Sequence, residues 1–106
     1  MYKSILVPID LVHREVGHAM IKRAIALSDD GAEITLLHVI GDIPAYAQSY
    51  LPEGQLKETL DETRKVLDAM AISADIKANI AVRYGSPSPV ILDEADERDI
   101  DLIIIT

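Results

Sequence analysis

The stretch SILVPID, residues 4–10, begins with a short apolar run and ends in an aspartate. Its aliphatic and β-branched content predicts a buried strand over residues 4–9. Pro8 has no N–H to donate to a sheet, so it belongs near the end of the strand, where pairing finishes. The strand therefore delivers Asp10 just beyond its carboxyl end.

Strand and helix patterns alternate along the rest of the chain. Helices are predicted where apolar residues recur at steps of three and four, and strands where they run together or alternate with polar residues. This reading gives helices over residues 15–27, over 56–70 and from 89 onward, and further strands over residues 33–40, 76–82 and 102–105. The order βαβαβαβ predicts a parallel sheet with right-handed crossovers and helices on both faces.

Turn-forming residues separate these elements. Residues 28–31 (SDDG) and 85–87 (GSP) predict turns, and residues 41–54, with two prolines and two of the four tyrosines, predict a long surface loop. For the last helix we expect Ser88 at the N-cap and Pro89 at the first helical position. The apolar residues of that helix that we expect to point inward are Ile91, Leu92 and Ala95.

The strand order follows from how apolar each strand is. The apolar runs 4–9 and 102–105 are predicted to be central, whereas residues 76–82 alternate with polar residues, as an edge strand does. We therefore expect an α/β fold, a three-layer open twisted sheet with Rossmann-like order 3-2-1-4, as a single domain over residues 1–106. Ligands bind such sheets beyond the carboxyl ends of the strands where the order reverses, so a site is expected around Ile9 and Asp10.

Composition excludes several classes of function. The 106 residues suffice for one core, and no apolar run approaches the roughly 20 residues of a membrane helix or resembles a secretory signal, which favours a cytoplasmic protein. The absence of cysteine excludes thiol catalysis and cysteine-bound metals. A net charge of −8 without a basic cluster disfavours nucleic-acid binding.

Asp10 is the candidate binding residue. Its carboxylate can accept hydrogen bonds from a ribose hydroxyl or an adenine amino group, whereas it repels phosphate. The alternative is an exposed aspartate that caps the loop or the first helix, and the residues alone favour neither. The dinucleotide and P-loop motifs are absent because residues 10–20 contain only Gly17, and no nucleophile elbow surrounds any serine. No catalytic residue is therefore predicted.

Other polar residues have ordinary explanations. His13 and His18 would point about 140° apart on a helix, so we expect no metal site. His38 is expected to be a hydrogen-bonded strand residue. The acidic series within residues 93–101 is expected to form a solvated face.

Four segments resemble the universal stress protein family when taken together and in order. They are YKSILVPID (2–10), LLHVI (36–40), the GSP turn with the helix after it, and DLIII (101–105). The resemblance covers essentially the whole chain, and the family's strand order 3-2-1-4-5 agrees with the order expected above. It implies that ATP or AMP is bound by the residues at the strand ends: Pro8, Ile9, Asp10, Val39, Ile105 and Thr106.

The resemblance also assigns roles to these positions. Asp10 and Val39 would hold the adenosine, Val39 through its backbone, with Pro8 and Ile9 lining the same pocket. Ile105 and Thr106 would lie beside the ribose, although many members have glycine where this chain has Thr106.

Nucleotide-binding members hold the phosphates with a G-x-x-G…G-[ST] segment after the fourth strand, and this sequence ends before that point. The resemblance implies a further loop, helix and fifth strand of about 35 residues. That fifth strand commonly forms the family's homodimer contact. We therefore interpret the sequence as truncated.

Two functions are expected from the resemblance. The first is a regulatory stress-response module that binds ATP or AMP. The alternative is a family member that binds no nucleotide and acts as a homodimeric or adaptor protein. Slow ATP hydrolysis ranks last because the sequence offers no convincing base or metal ligand.

Overall fold

The computed structural model describes residues 2–41 and 43–105. The elements are β1 (Tyr2–Pro8), α1 (Arg14–Leu27), β2 (Ser28–Ile40), α2 (Ala45–Gln48), α3 (Gln55–Ser73), β3 (Asn79–Tyr84), α4 (Pro87–Glu97) and β4 (Leu102–Ile103). The predicted alternation is confirmed. The predicted long loop differs in one respect, because it contains the short helix α2.

The four strands form one parallel sheet in the order β3-β2-β1-β4, as predicted. Ile5 pairs with Ile34 of β2 on one side and with Leu102 of β4 on the other. The chain thus moves from β1 through β2 to β3 in one direction, then crosses back to β4. The reversal lies beside β1, where such sheets open a crevice.

Helices cover both faces of the sheet, as expected from the alternation of elements. Alternate strand residues point to opposite faces, so Ile5 and Val7 join one cluster and Leu6 joins the other. The large core lies under α1 and α3, and its helical members include Ile21, Ala24, Leu67 and Met70. The small core lies under α4, where Ile91 and Ala95 pack against Leu6, Leu37 and Ala81.

β2 begins earlier than predicted. The turn-forming residues 28–31 belong to the strand, because Tyr2 of β1 pairs with Ser28 and Ser4 pairs with Glu33. The register shifts between these two pairs, and Gly31 sits there with a φ of +75°. A left-handed glycine lets the strand absorb the extra residues as an irregularity.

α4 also begins earlier than predicted. Ser86 is its N-cap and Pro87 its first residue, so the Ser-Pro signal acts at the first of its two occurrences and not at Ser88-Pro89. The prediction that Leu92 points inward was wrong, since its side chain is 64% exposed. The buried residues of α4 are instead Val90 and Glu94. Each directly precedes one of the two residues, Ile91 and Ala95, that pack against the sheet, so the buried face of the helix includes all four.

The two outer strands differ from expectation in their burial. β4 was expected to be central and covered on both faces over residues 102–105, but it spans two residues, and Ile105 is 65% exposed. Within the described residues it pairs only with β1, which makes it an edge. β3 is an edge as predicted, yet its supposedly wetter face is partly covered, because Ala81 is buried beneath α4.

None of the helices in residues 2–41 and 43–105 combines the length and the apolar character needed to cross a membrane.

Candidate functional site

A cleft of about 440 Å³ opens at the carboxyl edge of the sheet. The ends of β1 and β2 form its floor, α1 forms one wall, and Pro87 and Ile91 of α4 form the other. Ile105, just after β4, completes the rim. The cleft therefore sits at the reversal of strand order, where the sequence predicted it.

The structure brings five of the six predicted site residues to this one cleft. Its lining includes Pro8, Ile9, Asp10, Val39 and Ile105. Thr106 lies outside the described residues. Their grouping in space is a structural result, and their role in binding a ligand stays a prediction.

Asp10 is held in the turn between β1 and α1. Its Oδ1 accepts the backbone N–H of Val12 at 2.9 Å, and its backbone carbonyl accepts the N–H of His13 at 3.1 Å. Its Oδ2 has no hydrogen-bond partner among the residues described here, and the side chain is exposed. One oxygen thus orders the loop while the other stays open to solvent, so both readings of this aspartate are compatible with the structure.

Ile9 is bound to β2 through both of its backbone polar groups. Its N–H donates to the carbonyl of Leu37 at 2.7 Å, and its carbonyl lies 2.8 Å from Nδ1 of His38. A carbonyl oxygen only accepts, so Nδ1 of His38 carries the proton. The prediction that His38 is a hydrogen-bonded strand residue is confirmed, and the structure adds that it lines the cleft.

One wall of the cleft was not identified from the sequence. Val16, Gly17 and Met20 of α1 line it, within the segment 15–27 that the apolar periodicity predicted only as a helix. A Cβ at Gly17 would lie 3.0 Å from Cε of Met70 and 3.3 Å from Cγ2 of Ile9, so this glycine allows α1 to approach the end of β1 closely. The missed signal is a glycine on the apolar face of a predicted helix.

The lining is mostly apolar and has little charge. Asp10 is the one carboxylate among the lining residues that the structure describes, and neither lysine nor arginine is found there. His13 and His38 add ionisable rings. Such a surface suits an uncharged, hydrogen-bonding ring system better than a phosphate chain.

Within the described part of the chain, no group of three histidine, aspartate or glutamate side chains is placed to hold a metal ion.

The acidic series after residue 92 is not the uniformly solvated face that was expected. Glu94 is only 5% exposed, and it accepts hydrogen bonds from Arg83 at 3.1 Å and from Arg98. Burial would raise the pKa of Glu94, but the hydrogen bonds and charges of Arg98 and Arg83 together hold this pKa below its ordinary value. Glu94 therefore anchors α4 to the edge strand β3.

Asp101 has a structural role at the opposite edge of the sheet. Its carboxylate accepts the backbone N–H groups of Lys3 at 3.0 Å and Ser4 at 3.1 Å. These bonds hold the pKa of Asp101 below its usual range. They connect the start of β4 to the start of β1.

Comparisons with known proteins identify the family of this chain. The family model described as the universal stress protein family matches residues 1–106. A search of curated protein sequences finds no significant match.

Solved structures with the same fold were also found. The structure of hypothetical protein MJ0577 shares 26% sequence identity at a TM-score of 0.75, over 99% of this chain and 74% of that one. Hypothetical protein PH0823 shares 24% identity at a TM-score of 0.62, over 97% and 74% of the two chains. Rv1636 from Mycobacterium tuberculosis H37Rv shares 22% sequence identity at a TM-score of 0.55, over 96% of this chain and 68% of that one. These last two likenesses show the fold alone, whereas the family match extends over every residue of the sequence. The chain belongs to the universal stress protein family.

Proposed function

We propose that the protein is a regulatory stress-response module that binds an adenine nucleotide, ATP or AMP, with the nucleoside end in the cleft at the carboxyl edge of the sheet. The observation that carries the proposal is the partly free carboxylate of Asp10 beside a mostly apolar cleft whose described lining contains neither lysine nor arginine. Oδ2 of Asp10 can accept a ribose hydroxyl or an adenine amino group.

The size of the cleft supports this choice of ligand. A volume of about 440 Å³ falls in the range of small-molecule sites, roughly 300–1,000 Å³. Val39 and Ile91 present apolar surface to it, which suits the flat faces of an adenine ring. Phosphates would extend away from Asp10, since like charges repel.

The backbone of Val39 is available for adenine recognition. The carbonyl of Leu37 accepts the N–H of Ile9 on the β1 side of β2. Because peptide groups two residues apart in a strand point to the same side, the polar groups of Val39 also point toward β1. β1 has already ended at Pro8, so these groups face the cleft instead of a paired strand. They offer one donor and one acceptor to the edge of a base.

Binding, not turnover, is the proposed purpose. A bound nucleotide would order the loops that meet at this edge and so change the surface offered to partners. The loop that contains Tyr46 and Tyr50 follows β2 at the same edge, and both tyrosines are exposed.

Calorimetric titration with ATP and with AMP tests the proposal. We expect Asp10→Asn to weaken binding by roughly tenfold or more, because the amide keeps an oxygen for Val12 but loses the charge that favours a donor from the ligand. Asp10→Ala should weaken binding further, since it also removes the turn. Asp61→Asn, an exposed carboxylate of α3 outside the cleft, is the matched control. No heat with the unmodified protein would refute the proposed function, and equal affinity in Asp10→Asn would remove the role of Asp10.

A second candidate function is a homodimeric or adaptor protein that binds no nucleotide. It is favoured by the apolar residues at the β4 edge, where Leu102 and Ile103 are half-buried and Ile105 is largely exposed. Sedimentation analysis with and without ATP separates the two functions. A dimer that forms without any measurable nucleotide binding would support the second.

A further inference from the structure

The ends of β1 and β2 are joined by a side chain as well as by the backbone. Backbone pairing between them finishes with Pro8 opposite Leu37 and the bond from Ile9 N–H to Leu37. Beyond this point the imidazole of His38 continues the connection, with Nδ1 2.8 Å from the carbonyl oxygen of Ile9. Asp10 is the next residue.

The side chain, the N–H and the carbonyl of Ile9 are consequently all held by neighbouring elements. Its side chain is 4% exposed within the large core, against Gly17 of α1, and β2 binds both its N–H and its carbonyl. The backbone from which Asp10 projects therefore starts from a fixed point. A second interaction orders the loop, because the Asp10 carboxylate accepts the N–H of Val12, two residues after Asp10.

We propose that His38 is a positioning residue of the cleft: its Nδ1–H holds the Ile9 carbonyl and thereby fixes the carboxylate of Asp10 for a nucleoside hydroxyl or amino group. This role in binding rests on the nucleotide function proposed above. Hydrophobic packing alone does not explain a histidine here, because the residue is only partly buried and lines the cleft. Without its donor, the Ile9 carbonyl would bond to water at the mouth of the cleft, and the loop would gain freedom.

Three substitutions separate positioning from direct contact. His38→Asn places an amide near the position of Nδ1, His38→Gln places one near the position of Nε2, and His38→Leu removes both while keeping similar bulk. We expect Asn to retain nucleotide affinity within about threefold and both Leu and Gln to lose roughly tenfold or more. Rescue by Gln and not by Asn would show direct contact through Nε2 and overturn the proposal, as would unchanged affinity in Leu. If the Leu variant fails to fold, the comparison of Asn with Gln decides.

A double-mutant cycle provides a readout that a merely structural histidine would not change. In the Asp10→Asn background, His38→Leu should weaken binding by much less than it does in the unmodified protein, because the carboxylate that it positions is gone. Additive losses would overturn the proposal.

Two measurements on the free protein distinguish failure of this inference from failure of the nucleotide function. ¹⁵N NMR of the imidazole should show the Nδ1–H tautomer at neutral pH, and His38→Leu should speed hydrogen exchange of the Val12 amide by about tenfold, which corresponds to the loss of about one hydrogen bond. An Nε2–H tautomer or an unchanged exchange rate would overturn the positioning role even if ATP binds. Absence of ATP binding with both signals present would refute only the nucleotide function.

Discussion

The two faces of the sheet are stabilised in different ways. Under α1 and α3, aliphatic residues from all the strands form one continuous apolar cluster. Under α4 the apolar cluster is smaller, and beside it Glu94 is buried between Arg83 and Arg98. Apolar packing is insensitive to pH, whereas an ion-paired carboxylate is not. The stability of the α4 face should therefore depend on pH more than that of the opposite face.

The largest expected effect comes from the large core. Leu67 of α3 is fully buried, so Leu67→Ala should lower the free energy of unfolding by about 3 kcal/mol through lost transfer energy and a residual cavity. Leu92→Ala on α4 is the matched control, because the exposed side chain should cost less than about 0.5 kcal/mol. Urea unfolding followed by circular dichroism measures both. Equal losses in the free energy of unfolding would contradict the finding that Leu67 is buried and Leu92 is exposed.

The connection that places α4 on its face depends on Gly85. This residue has a φ of +147°, and a Cβ would lie 2.7 Å from Cγ2 of Val90. Gly85→Ala should therefore destabilise the protein by about 2 kcal/mol, from backbone strain and displacement of α4. Gly41→Ala meets nothing within 4 Å and serves as the control in the same unfolding assay. A loss no greater than that of the control would show that the turn adapts freely.

The ion-paired cluster can be weakened without changing its shape. Glu94→Gln removes the charge between Arg83 and Arg98 and should cost about 1–2 kcal/mol, less than in a fully dry site because both arginines are partly exposed. Glu97→Gln is the control, since its exposed carboxylate is 3.6 Å from Arg83 and should contribute little. If the two variants had the same midpoint in urea, Glu94 would not anchor α4.

The smallest expected effect concerns pH. The pKa values of Glu94 and Asp101 are both lowered in the folded protein, so each carboxylate stabilises the fold above its unfolded pKa and loses that contribution as pH falls through its folded pKa. The unfolded values are near 4, so the loss should begin below about pH 5 and continue downward. Asp101→Asn should flatten the acid side of the stability profile slightly, and Glu94→Gln should flatten it more. Urea midpoints between pH 3 and pH 7 test this, and identical slopes in all three proteins would contradict it.

Local patterns predicted most of the fold, because the periodicity of apolar residues is visible in one segment at a time. They gave the parallel alternation and, through the apolar character of each strand, the order 3-2-1-4. They were less accurate where two readings of the same residues compete. The Ser-Pro signal occurs twice, at the start of α4 and again two residues later within it. Residues 28–31 form an irregular start of β2 although their composition is typical of a turn.

The cleft residues were predicted in two different ways. The position of Asp10 follows from the end of β1 and the rule that ligands bind where strand order reverses. Gly17 was visible on the apolar face of a predicted helix, but its close packing could not be predicted, and neither could the burial of Glu94. Each depends on a neighbour from another element: Met70 of α3 in one case and Arg83 of β3 in the other.

By itself, the sequence determined which segments become strands and helices and that a carboxylate follows the first strand, since these properties depend on residues close together in the chain. Only the tertiary structure decided that His38 reaches the carbonyl of Ile9, 29 residues away, and that one acidic residue of α4 is buried between arginines while its neighbours are exposed. The physical reason is that the partners of each polar group depend on strand pairing and helix packing, which bring together residues that are distant in the sequence.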